Sequence, residues 1–61
     1  MSRIMSFLAN FSEDNHVKIY KNDQMLFSGE VKNARNELEK DYNIVSESVK
    51  PDGQFLVIKV K

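Results

Sequence analysis

Lys50-Pro51-Asp52-Gly53-Gln54 stands between two runs rich in β-branched and apolar residues, Ile44 to Val49 and Phe55 to Val60, and is the strongest local signal in the chain. Proline suits the first corner of a type I turn, where its φ is already set, and glycine supplies the left-handed residue that closes a three-residue hairpin loop. The flanking runs are therefore expected to pair as antiparallel strands. The loop sets a register in which Val49 faces Phe55, Ser48 faces Leu56, Ser46 faces Ile58 and Ile44 faces Val60. One face then carries Ile44, Leu56, Ile58 and Val60. The other carries Val45, Val49, Phe55 and Val57 with Glu47, Lys59 and Lys61.

Upstream of this hairpin (44–61), Val31, Ala34, Leu38 and Tyr42 recur at i, i+3, i+7 and i+11. The spacing predicts an amphipathic helix over 32–42, stopped by Asn43, a residue that tolerates the left-handed conformation. Further upstream, His16 to Lys21 alternates Val17 and Ile19 against His16, Lys18 and Tyr20, the period of a half-buried strand. Lys21-Asn22-Asp23-Gln24 predicts a tight turn, with Met25 to Ser28 as the returning strand of a first hairpin over 16–30. A three-residue loop fits the same residues, and the one-residue difference decides whether Leu26 or Phe27 faces the core. At the start of the chain Ile4, Phe7, Leu8 and Phe11 fall on one helical face, so residues 1–12 are read as a short helical arm. An arm of two to three turns holds its helix only when docked.

The expected fold is α+β: one domain over residues 1–61, a small antiparallel sheet of two hairpins (ββαββ) with one covering helix and the N-terminal arm. Strand order within the sheet does not follow from these patterns. Val17, Ile19, Ile44, Leu56, Ile58 and Val60 form the natural floor for Ala34 and Leu38. The second face remains too apolar to be plain solvent-facing surface.

Composition narrows the function classes. In 61 residues there are nine Lys plus Arg, nine Asp plus Glu, one His and no Cys. A chain this short buries only about 60% of the surface its unfolded form exposes, and without cysteine it has neither a disulfide nor a thiolate zinc site to reinforce it. Zero net charge removes the long-range field that draws basic proteins onto polyanions or anionic membranes. The longest apolar run, Phe55 to Ile58, is far short of a membrane span, and the N-terminal residues make a poor secretory signal. The cytoplasm is the expected compartment, with no membrane partner.

Chemistry-bearing residues are sparse. His16 is the only imidazole, and Ser12, Ser28, Ser46 and Ser48 have no nucleophile motif around them. Glu13, Asp14, His16 and Asp23 match no metal-ligand spacing, and Gly29 and Gly53 are too isolated to cradle phosphates. Glu37, Glu39 and Asp41 read as a solvated helix face. The expectation is a protein that is not an enzyme, with no catalytic, metal or cofactor site and no small-molecule substrate.

Two occupants fit the second sheet face: the arm folded back across it, or another protein, either a target or a second copy in a homodimer. The candidate protein-contact residues are Ile4, Phe7, Leu8, Phe11, Val45, Val49, Phe55 and Val57. The rival class is a weak single-stranded nucleic-acid binder using Lys18, Tyr20, Phe55, Lys59 and Lys61, since aromatics interleaved with lysines on a sheet stack bases and neutralise phosphates. Glu47 on the same face and the neutral chain weigh against it.

The stretch HVKIYKNDQMLFSGEV, residues 16–31, followed by a short helix and a terminal hairpin, resembles small uncharacterised proteins encoded by phages and prophages of low-GC Gram-positive bacteria. The resemblance implies a non-enzymatic accessory protein of a mobile element that binds a host or phage protein. Arg35, Leu38, Tyr42-Asn43-Ile44, Asp52-Gly53 and Phe55-Leu56 are also similar to the small ε subunit of bacterial RNA polymerase, which implies a more remote alternative, an RNA-polymerase accessory role.

Overall fold

The alternating strand β1 (His16–Lys21) and β4 (Phe55–Val60), which holds the longest apolar run, lie side by side at the centre of the sheet. The computed structural model describes residues 2–45 and 49–61. In chain order the elements are α1 (Ile4–Leu8), β1, β2 (Gln24–Glu30), α2 (Val31–Glu37), β3 (Lys50–Asp52) and β4, giving a small α+β fold. The sheet order is β2-β1-β4-β3.

The sheet is mixed, which corrects the antiparallel expectation. β1 and β2 are antiparallel, as are β3 and β4, but β1 and β4 run parallel, with Val17 opposite Leu56, Ile19 opposite Ile58 and Lys21 opposite Val60. A parallel pair needs a long crossover, and the stretch through β2, α2 and the segment after it provides one. Val17, Ile19, Ile58 and Val60 are thereby brought together in the core, where all four are buried.

The first hairpin closes through two residues, Asn22 (φ 51°) and Asp23 (φ 65°), both left-handed as a type I′ turn requires. A bulge follows at once. Tyr20 pairs with Met25 but Ile19 pairs with Phe27, so Leu26 is the extra residue. The bulge resolves which residue faces inward: Phe27 is buried, and Leu26, half-buried, still packs against the core. Phe27 also explains Gly29, whose φ is 153°, because a Cβ there would stand 3.1 Å from Phe27 Cζ.

The second hairpin departs from the expected register. Ile44 keeps its partner Val60 as an isolated bridge, whereas Phe55 pairs with Asp52 instead of Val49. The turn residues are Gly53 (φ 63°) and Gln54, the pattern of a type II′ turn, whose twist suits antiparallel strands. Pro51 is tolerated inside β3 because β3 is an edge strand. The displacement is odd, so it moves Val49 from the second face to the core, against which it packs. The pairings expected for Ser46 and Ser48, and the place of Glu47, lie outside the described residues.

The helix expected over 32–42 is shorter, Val31–Glu37, and Leu38 is already extended (ψ 132°). Its start is held by the loop before β1: the Val31 N–H donates to Asn15 O (2.9 Å) and the Lys32 N–H to Glu13 O (3.1 Å). These carbonyls replace the side-chain cap that Glu30 does not provide. The early stop has a tertiary cause. The Ile4 N–H donates to Tyr42 O, the Ile44 N–H to Ser2 O, the Lys61 N–H to Asn43 O and the Val45 N–H to Lys59 O. Segment 42–45 thus bridges the N-terminal residues and the end of β4. A helix running to Asn43 would forfeit those bonds. Leu38 and Tyr42 still reach the core, but from extended chain.

The arm lies on the helix side of the sheet. Ile4 and Leu8 are fully buried in the same cluster as Val17, Ile19, Val31, Ala34 and Ile58. It therefore does not cover the second face. Arg3 at the start of α1 gives no side-chain cap, and Asp41 supplies one from across the fold, its Oδ1 accepting the Met5 N–H at 2.9 Å. Asp41→Ala is expected to cost about 0.5–2 kcal/mol, while Asp41→Asn, which keeps an acceptor, recovers most of that loss. Urea midpoints at unchanged m-value measure both.

Candidate functional site

Alternation along the strands sets one set of side chains against the helices and leaves the other set on the far face. Directly paired residues share a face, so the register assembles that far face row by row. His16 lies between Glu30 and Phe55, Lys18 between Ser28 and Val57, and Tyr20 between Met25 and Lys59, while Asp52 and Lys50 extend the first two rows on β3. No described element packs over this face. His16, Lys18, Tyr20, Phe55 and Val57 are each half-buried by their neighbours and half open, and Met25 is 46% exposed.

Phe55 is the centre of the arrangement. The His16 ring meets it edge-on, with centroids 5.6 Å apart and planes at 74°, and Lys18 Nζ lies 4.5 Å from its centroid. The ammonium is drawn to the negative face of the ring, and the near-perpendicular packing of the imidazole adds an aromatic contact to the same ring. Around this centre, Lys18, Lys50 and Lys59 border the apolar surface of Phe55, Val57 and Tyr20, and Glu30 and Asp52 occupy its margins. Such a surface can hold apolar groups at its middle and anionic groups at its border. His16 packs against a hydrocarbon ring here. Among the described residues, no three histidine or carboxylate side chains gather closely enough to hold a metal ion.

The candidate protein-contact residues are distributed over three environments. Ile4 and Leu8 are fully buried and offer nothing to a partner. Phe7 and Phe11 are half-buried, pack against the core, and meet each other in a tilted contact with centroids 5.1 Å apart and planes at 57°. Val49 also packs on the core, and Val45 is half-buried beside β4. Phe55 and Val57 alone of the eight sit in the pairing rows of the open face. Of the nucleic-acid candidates, Lys18, Tyr20, Phe55 and Lys59 share that face, whereas Lys61 lies just past β4, with its N–H on Asn43 O.

Sequence reasoning missed His16, Met25, Lys50 and Asp52 as members of the face. The alternation of β1 could have supplied His16. The other three depend on the bulge at Leu26, which has no local signal, and on the register of β3, where the turn residues admit more than one geometry. Among the described residues, hollows lie beside α1, about 390 Å³ and lined by Ser2, Arg3, Ser6, Phe7 and Asn10, and among Leu26, Glu37, Leu38, Glu39 and Tyr42, about 180 Å³. The Tyr42 ring beside the second hollow is flanked by Lys21 Nζ at 5.4 Å and Lys40 Nζ at 5.2 Å. No helix among the described residues is long and apolar enough to cross a membrane. Comparison of the chain with models of known protein families, with curated proteins and with solved structures finds no match.

Proposed function

We propose that this chain is a non-enzymatic binding domain that acts by protein contact through the open face of its sheet, on a partner segment that presents both apolar and acidic side chains. The observation that carries this reading is the position of the arm. The apolar arm is spent on the core side and no other described element covers the second face, so Phe55, Val57 and Tyr20 are half open there with lysines around them. An apolar sheet face rimmed by charge is the usual form of a recognition surface. An accessory protein of a mobile element, as the resemblance of residues 16–31 implies, works by contact of this kind.

A second reading is single-stranded nucleic-acid binding, favoured by Lys18 over the Phe55 ring and by Tyr20 and Lys59 on the same face. Glu30 and Asp52 at the margins oppose it, because they repel a phosphate backbone that the remaining lysines are few to neutralise.

Backbone-amide NMR titrations separate the two, using peptides that alternate Asp or Glu with Leu or Phe in one arm and a single-stranded oligonucleotide at low salt in the other. The expected result is that peptide shifts the resonances of Lys18, Tyr20, Phe55 and Val57, and that Phe55→Ala weakens binding by about tenfold or more, as for a central aromatic anchor. Binding confined to the oligonucleotide, falling steeply with salt, would replace this reading with the second.

A further inference from the structure

The two edges of the sheet are protected very unequally. β3 is three residues long and consists of Lys50, Pro51 and Asp52, so short length, a missing N–H and two charges all discourage another strand from pairing with it. β2 is seven residues long, contains no lysine or proline, and has Glu30 at its end as its single ionisable side chain. Among the described residues it pairs with β1 alone. Ser28 and Met25 are exposed along it, and the bulge at Leu26 still leaves a regular stretch from Phe27 to Glu30.

We propose that the outer edge of β2 pairs with the same edge of a second copy of this chain, forming a closed two-fold dimer with one continuous eight-stranded sheet. An unpaired strand edge offers alternating N–H and C=O groups, and the occupant that satisfies them is another extended strand. A second copy fits on charge: an antiparallel β2–β2 contact sets the Glu30 carboxylates at opposite ends and brings no like charges together, whereas the open faces, each bearing several lysines, would repel if stacked. Assembly stops at two because each chain has one unprotected edge, and continued growth would have to use β3. A two-fold axis perpendicular to the sheet keeps both open faces on the same side. The dimer therefore presents two Phe55 centres in one surface. The dimer stands independently of what binds that surface.

Sedimentation equilibrium of the full chain tests the proposal. One strand pairing buries less than the roughly 1,200 Å² of a standard interface, so dissociation constants of about 0.1–1 mM are expected. Ser28→Glu is the decisive variant. Within one chain it sets a carboxylate opposite Lys18, a favourable cross-strand pair, and across the dimer it brings two carboxylates to the middle of the contact. The variant is expected to melt no lower than the parent and to dimerise at least about tenfold more weakly. Phe55→Ala is expected to leave dimerisation unchanged. A parent chain that stays monomeric through millimolar concentration overturns the proposal. So does a dimer indifferent to Ser28→Glu, one abolished by Phe55→Ala, or growth into larger assemblies.

Discussion

Leu8→Ala is expected to lower stability by about 2–5 kcal/mol, and deletion of residues 1–11 to leave no cooperatively folded chain. Leu8 is fully buried in the cluster that also holds Ile4, Val17, Ile19 and Val31, and alanine would leave a cavity that the short α1 cannot close. A domain of this length has a total stability of roughly 3–9 kcal/mol, so one such substitution removes a large part of it. Deletion removes Ile4 and Leu8 together, the packing of Phe7 and Phe11, and the hydrogen bonds that join residues 2 and 4 to residues 42 and 44. Thermal unfolding followed by circular dichroism measures both effects. The point variant should melt about 10 °C lower or more, since each kcal/mol moves a domain of this size by about 4–8 °C. Ser6→Ala, on the exposed side of α1, should change stability by less than about 0.5 kcal/mol. A truncated chain that melts cooperatively near the parent temperature would show the arm to be dispensable to the core.

Ile58→Ala is expected to be equally severe, again about 2–5 kcal/mol, with Ile58→Val costing about 0.5–1.5 kcal/mol. Ile58 and its neighbour Ile19 are both fully buried, and they face each other across the parallel junction that joins the two hairpins. A double-mutant cycle reads that junction directly. Residues in contact show coupling of about 0.5–3 kcal/mol, whereas separated ones add within about 0.3–0.5 kcal/mol. Urea denaturation of Ile19→Ala, Ile58→Ala and the double variant supplies the cycle, with milder Val substitutions at both positions if the double alanine variant does not fold. Strict additivity would remove β4 from its place beside β1.

The face that carries the proposed function was legible in part. Alternation in β1 placed Lys18 and Tyr20 together, and alternation in β4 placed Phe55, Val57 and Lys59 together; the structure brings both sets onto one surface. The second-hairpin register failed because Pro51-Asp52-Gly53 satisfies more than one turn geometry. A type I corner at Pro51 and a type II′ corner at Gly53 use the same residues, and the choice between them moves Val49 from one face to the other. The helix overshot for a related reason. Leu38 and Tyr42 are apolar at helical spacing and are buried, so their pattern was right about burial but silent about the backbone that carries them.

By itself the sequence determined what depends on near neighbours: a turn at Asn22 and Asp23, though not the length of its loop, the side-chain sets of β1 and β4, the arm's apolar face, and the membership of Val17, Ile19, Ala34, Leu38, Ile58 and Val60 in one core. Only the tertiary structure decided that β1 and β4 run parallel at the centre, that the arm joins the helix side, and that the helix yields after Glu37 to pairing with residues 2–4 and with the end of β4. The reason is one of range. Turns and periodicity record preferences of each residue for its own backbone, whereas strand partners and covered faces are chosen by which distant surfaces bury one another best, and a single amphipathic segment offers several such partners.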